Sequence, residues 1–198
     1  MKKAGYEYLL AYKITVPIYD YTVVFCDRCG VRGLGEVGGV REGKFPPLSS
    51  KRTFDQMVQS ARSGSQNMPE GNQQASLEGY IKLTGVNIGS LDELLKDYKA
   101  YSRQNGIPVW PKEKGREIRE VGEVWRELQR VSTLPDHPNI PNLPDNPEVA
   151  INLMVTLVNQ AIYLQKRLLK SLEDKFIHDG GFRENLFKKR LDHKRRVG

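Results

Sequence analysis

A chain of 198 residues is long enough for one sizeable core, or for one domain with appendages. Its apolar share of 38% is low beside 28% charged residues, so part of the chain is expected outside the core. The net charge of +7 points to an anionic partner, and two cysteines with three histidines exclude a disulfide framework and a histidine-rich metal cluster.

Lys2 and Lys3 open the chain, but Glu7, Lys13 and Asp20 soon interrupt the apolar residues. This is neither a signal peptide nor a membrane span, and no other segment approaches a spanning run. A soluble, cytoplasmic protein is the expectation. Residues 6–28 carry Leu10, Ile14, Ile18, Tyr21 and Phe25 at spacings of three and four, a helical stripe, with Tyr12, Val16, Tyr19 and Val23 beside it. Pro17 is expected to kink this helix. The β-branched run "YTVVFC" makes a strand the competing reading, and the upstream stripe favours the helix.

Residues 30–51, rich in Gly, Pro and Ser, lack periodicity and are expected to form a mobile loop. Thr53 is placed to cap a helix that runs to about residue 70, with Pro69 ending or bending it. From 76 to 104, Leu77, Ile81, Thr84, Ile88, Leu91, Leu95 and Tyr98 alternate at four and three. That is the seam of a left-handed helix bundle, with Ser76 as cap and Asn105-Gly106 as stop.

A shorter helix is expected within 107–132, with Ile118, Val121, Trp125 and Leu128 on one face. Pro135, Pro138, Pro141, Pro144 and Pro147 then recur every third residue, the period of polyproline II. A rigid spacer or a docking strip for a partner's aromatic groove both fit. Asn146 caps and Pro147 opens a long helix to about residue 178. That helix carries two stripes: Ala150, Leu153, Leu157, Ala161, Leu164, Leu168, Leu172 and Phe176, and Ile151, Val155, Val158, Ile162 and Leu169. The second stripe is expected to face a subunit interface, because large apolar patches are rarely left wet.

Few motifs carry chemistry. "GLGEVG" at 33–38 matches a dinucleotide-binding pattern but lacks a strand before it and a helix after it. Cys26 and Cys29 have CxxC spacing without a second pair, so reduced thiols at a helix end are expected, with a zinc shared between subunits as the alternative. No nucleophile, base or paired carboxylates have a supporting context, and the chain is expected to be neither an enzyme nor a cofactor or metal binder.

The final segment, 182–198, is more informative. Arg183, Lys188, Lys189, Arg190, Lys194, Arg195 and Arg196 stand against Glu184 and Asp192, a net +5 that leaves +2 for residues 1–181. Phe182, Leu186, Phe187 and Leu191 add an apolar side, by which the segment is expected to dock as a helix with its cations outward. Phosphate is the natural counter-ion, and a merely solubilising tail is the plainer reading. Arg52, Arg62 and the basic stretch 112–119 are the next candidates.

"ARSGSQNMPEG", residues 61–71, resembles the signature of the four-helix-bundle family whose first members are encoded by intervening sequences within bacterial 23S rRNA genes. In that family an Asn-x-x-Glu-Gly pattern closes the second helix, and Asn67, Glu70 and Gly71 match it. "VVFCDR", "FDQMVQSARSGSQN", "IKLTGVNIGSLDELLKDY" and "KFIHDGGFRENLF" look closer to the "four helix bundle suffix" branch, which adds a C-terminal extension. The match covers most of the chain and thins over 30–51 and the proline repeat. Met68-Pro69 replaces the family's usual Ile-Ala.

The resemblance implies an all-α, antiparallel four-helix bundle that assembles into ring-like homopentamers. Accessory variability determinant proteins of diversity-generating retroelements share that bundle and are basic partners of a reverse transcriptase and its RNA. The chain is accordingly expected to be a non-catalytic homo-oligomer that binds nucleic acid, RNA in particular, or an adaptor that touches RNA through a partner such as a reverse transcriptase. Residues 1–178 form the bundle, with 107–145 packed outside it, and 179–198 the basic suffix. Arg62, Gln66, Asn67 and Glu70 lie on one helical face and are expected to form a polar cluster tying down the turn that follows, with a ligand or RNA contact as the alternative.

Overall fold

The computed structural model describes residues 5–31, 45–74, 76–135 and 138–197. Among these the chain is all-α, and its one β-bridge joins Val31 to Leu48. A 3₁₀ turn at Gly5–Tyr8 leads into α1 (Leu10–Lys13) and α2 (Thr15–Cys29). Then come α3 (Lys51–Asn72), α4 (Leu77–Gln104), α5 (Lys112–Arg116), α6 (Arg119–Arg130), α7 (Pro147–Asp179) and α8 (Phe182–Val197).

The first expected helix is interrupted between α1 and α2. Pro17 has no N–H for the Lys13 carbonyl, and its ring crowds that oxygen, so the break falls one turn before the proline. Its stripe is nonetheless buried at Ile14, Ile18, Tyr21 and Phe25, and "YTVVFC" is helical. Two boundaries of α3 differ from expectation. The cap is Ser50, whose Oγ accepts from the Thr53 N–H at 3.1 Å, so Thr53 is the donor and not the cap. Pro69 lies inside the helix and does not end it. A proline removes one ladder bond, here to the Ser65 carbonyl, and burial of Met68 and Gly71 holds the last turn in place.

Ser76 caps α4 through the Gly79 N–H at 3.1 Å, as its position implies. The buried seam of α4 runs Thr84, Asn87, Leu91, Leu94, Leu95, Tyr98 and Tyr101, while Leu77, Ile81 and Ile88 are half-buried. The expected seam thus holds at Thr84, Leu91, Leu95 and Tyr98 and widens toward Asn87 and Leu94. Gly64 of α3 lies against this seam: a Cβ there would lie 3.0 Å from Leu91 Cδ2 and 3.8 Å from Asn87 Oδ1, so the helices approach closely at this glycine.

α3 packs on α4, α4 on α7, α7 on α2 and α2 on α3, and one apolar core lies among them. At one end Phe25 meets Phe45, Tyr98 and Tyr101 at ring separations of 5.6, 5.0 and 5.1 Å. Edge-to-face rings at this spacing attract beyond their burial. Phe45 and Leu48 come from the segment expected to be a loop, and both are core residues. Their N–H groups donate to the Arg28 and Gly30 carbonyls, which stitches the segment to the end of α2. The "GLGEVG" match and His137 lie outside the described residues.

The first part of the second stripe of α7 is covered by the chain itself. Ile151, Val155 and Val158 are buried, and Ile118, Val121, Val124 and Leu128 of the α5–α6 region join the same core. Trp110 N–H donates to Asn152 Oδ1 at 2.7 Å, and Trp125 Nε1 donates to Gln160 Oε1 at 2.7 Å. As far as Val158, the stripe expected to face a subunit interface is thus met by the chain's own residues, while Ile162 and Leu169 are half-buried. The proline repeat is not a free spacer either, for Leu143 is buried. Tyr21 Oη donates to the Pro141 carbonyl at 2.5 Å, and Arg28 Nη1 to the Leu143 and Pro144 carbonyls at 2.9 and 2.8 Å. A proline-rich segment has more carbonyls than N–H groups, so side chains of α2 supply the missing donors. Asn146 caps α7 as expected, accepting from the Glu148 and Val149 N–H groups.

Candidate nucleic-acid interface

The suffix begins at a glycine hinge. Gly180 has φ 77°, a backbone that L side chains rarely adopt, and its N–H closes α7 on the Phe176 carbonyl at 2.9 Å. Glu184, in the first turn of α8, reaches back to accept from the Gly181 N–H at 3.1 Å. Asn185 Nδ2 donates to the Gly180 carbonyl at 3.2 Å. Glu184 near the N-terminus and Lys194, Arg195 and Arg196 in the last turn both suit the helix dipole, which is why so polar a sequence forms a helix here.

The helix does not dock. Phe182, Leu186, Phe187 and Leu191 are 49%, 55%, 61% and 39% exposed. On a helical wheel they form two pairs, Phe182 with Leu186 and Phe187 with Leu191, about 140° apart, so no single apolar face exists. Three cationic stripes separate and flank the pairs. The first is Arg183, Arg190 and Lys194, the second Lys188 and Arg195, and the third Lys189 and Arg196. All seven of these cations are exposed, and none has a hydrogen bond or ion pair among the described residues.

Arg62, Gln66 and Glu70 are exposed along α3, while Asn67 is half-buried. No hydrogen bond joins their side chains to one another, and Asn67 Nδ2 is shielded without a partner. The turn after α3 is tied instead by Gln74, whose Nε2 donates to the Glu70 carbonyl at 3.4 Å, and by the Ser76 cap. The signature glycine has the clearer role. A Cβ on Gly71 would lie 2.7 Å from Tyr80 Cδ2, so α3 and α4 can approach this closely only over glycine. Gly71, Tyr80, Phe182 and Asn185 share a hollow of about 340 Å³ at the root of α8.

Cys26 and Cys29 are buried thiols in the aromatic end of the core. Burial raises both pKa values, that of Cys29 to about 12 despite its contact with Tyr101 Oη at 3.4 Å. Neither sulfur reaches the surface where a second subunit's ligands could meet it.

Sequence reasoning missed one further feature. A cleft of about 590 Å³ opens between α4, the 109–116 segment and α7. Its aromatic residues are Trp110 and Tyr163, its cations Lys99, Lys112 and Arg116, and its amides Asn159 and Gln160. Trp110 is fixed, because its Nε1 donates to Glu148 Oε1 at 2.6 Å. Lys114 Nζ stands 4.0 Å from the centre of its ring and lines a neighbouring hollow, not the cleft. Tyr163 is 61% exposed, with the Arg167 guanidinium 6.0 Å from its ring. Lys112 and Arg116 lie in the basic stretch visible in the sequence, but only the packing of α4 and α7 adds Lys99 and Tyr163.

Among the described residues no group of three or more His, Cys, Asp or Glu converges as metal ligands would, and no helix is long and apolar enough to cross a membrane. The chain matches no family model, no curated protein and no solved structure.

Proposed function

We propose that this chain is a non-catalytic nucleic-acid-binding scaffold: a four-helix bundle of the intervening-sequence type, formed by α2, α3, α4 and α7, that presents α8 to RNA. The observation that carries the reading is the state of α8. Seven cations lie unpaired on a helix that its own chain leaves exposed, and its segment accounts for +5 of a net +7. Stripes on three sides let the helix meet phosphates from several directions, and arginine holds them bidentately. Nothing in α8 has base-reading geometry, so little sequence preference is expected. Assembly into a ring, implied by the family resemblance, would repeat α8 around the assembly and add modest contacts through multivalency. The part of the second α7 stripe that the chain itself covers, Ile151 to Val158, lends that assembly no support. Light scattering tests it directly, a mass of several times 22.6 kDa supporting the ring and a monomer opposing it.

Deleting residues 182–198 should remove only the helical signal of α8 itself and leave the thermal midpoint close to that of the intact chain, since no element packs closely on α8. The same deletion should remove most RNA binding at physiological salt; unchanged affinity would refute the proposal. A second reading, a protein adaptor that reaches RNA through a partner such as a reverse transcriptase, is favoured by the exposed Phe182 and Phe187. Phe182→Ala with Phe187→Ala should then abolish partner capture while leaving direct RNA binding intact.

A further inference from the structure

We infer that the cleft between α4, the 109–116 segment and α7 is a nucleotide-binding site, distinct from the phosphate contacts of α8. The cleft takes a base between or against its aromatic side chains and holds the attached phosphate on its cations.

Size sets the first condition. About 590 Å³ falls within the roughly 300–1,000 Å³ of small-ligand sites. Chemistry sets the second. A nucleotide needs a flat apolar surface for the base, donors and acceptors for its edge, and positive charge for the phosphate. Trp110 and Tyr163 supply the first, Asn159 and Gln160 the second, and Lys99, Lys112 and Arg116 the third. No carboxylate lines the cleft, and none of the three cations has an ion pair among the described residues. Two carboxylates near the cleft already have partners: Glu148 accepts from the Trp110 indole at 2.6 Å, and Asp92, which feels Lys99, is engaged by Lys96 at 2.6 Å.

The polar groups are also available. Gln160 Oε1 accepts from Trp125, which leaves its Nε2 to donate, and Asn159 Nδ2 donates to the Val155 carbonyl, which leaves its Oδ1 to accept. Together they present one donor and one acceptor, the pattern of a base edge. Trp110 is held by two hydrogen bonds, from its backbone N–H to Asn152 and from its indole to Glu148, so stacking on it costs little ordering. Tyr163 is the more exposed member of the pair.

The site rests on the nucleic-acid reading of the chain only in the class of its ligand, and the test separates the two. The full chain is titrated with a short oligouridylate carrying 5-iodouridine, and separately with uridine monophosphate. Photocrosslinks are expected at Trp110 or Tyr163. Tyr163→Ala should weaken oligouridylate binding roughly five- to a hundredfold, the range for losing one stacked base. Tyr163→Phe should retain binding, and Lys112→Glu with Arg116→Glu should weaken it at least about tenfold. Quenching of tryptophan by uridine monophosphate alone identifies a free nucleotide as the ligand; quenching only by the oligomer identifies a strand segment, and either outcome supports the site. Reversing the α8 cations to glutamate should leave the cleft crosslink in place, so failure of α8 and failure of the cleft read differently. Crosslinks confined to α8, with unchanged affinity in Tyr163→Ala, would overturn the inference. So would a Tyr163→Ala variant that changes only the assembly mass or the capture of an acidic protein.

Discussion

Lys13 is the residue whose burial most needs an explanation. It is 4% exposed, yet it carries a charge that burial makes costly and whose pKa burial lowers. Its Nζ donates to the Leu128 carbonyl at 2.6 Å and the Val131 carbonyl at 2.9 Å, at the C-terminal end of α6. An ammonium there satisfies carbonyls that the helix leaves open and suits its dipole. Lys13→Met should therefore destabilise the chain by about 1.5–3 kcal/mol, measured by urea unfolding, because those carbonyls lose a charged donor. Cys26 and Cys29 give a pH prediction. Each has an ordinary thiol pKa of 9.0 that burial raises in the folded chain. Above that pH the unfolded chain releases protons that the folded chain keeps. Stability is therefore full below pH 9.0 and falls as pH rises toward the Cys29 value of about 12, by about 1.4 kcal/mol per pH unit for each thiol. Cys26→Ala with Cys29→Ala should flatten that slope in unfolding titrations just above pH 9.0, and an unchanged slope would count against the burial account.

Among the elements, α3 and α4 meet through glycine. Gly71→Ala gains helix propensity, about 1 kcal/mol, but forces the Tyr80 ring to move from a contact of 2.7 Å. Overpacking typically costs about 1–3 kcal/mol, so a net loss of stability is expected, and a thermal midpoint at or above the parent's would contradict the contact. The elements also show what sequence carries and what it does not. Long helices with a sustained three-four spacing are readable, and so are local caps such as Ser76 and Asn146, because spacing and capping are properties of neighbouring residues. The docking of the proline repeat is not, because it depends on Tyr21 and Arg28, more than a hundred positions away in the chain, finding carbonyls. The second stripe of α7 does need a cover, but periodicity cannot say whether the cover is the same chain or another. The exposed state of α8 is, by contrast, foreshadowed in its own residues: a helical wheel splits the apolar ones into two pairs and leaves no single docking face.

For the whole molecule, charge is the most readable property and its placement the most useful. Concentration of +5 in the last segment is visible in the residues alone, and the cations of α8 lie exposed beyond the helices that enclose the core. The cleft is not readable, because Lys99, Lys112, Arg116 and Tyr163 come from three separated segments that only the packing of α4 and α7 assembles. The central claim is that α8 binds nucleic acid by neutralising phosphates, and the salt dependence of RNA affinity tests it most directly. If six cations per chain meet single-stranded RNA, a plot of log affinity against log salt should fall with a slope of about −4. Reversing Lys188, Lys189, Arg190, Lys194, Arg195 and Arg196 to glutamate should remove most of that slope together with most of the affinity. A slope and affinity unchanged by the reversal would contradict the account.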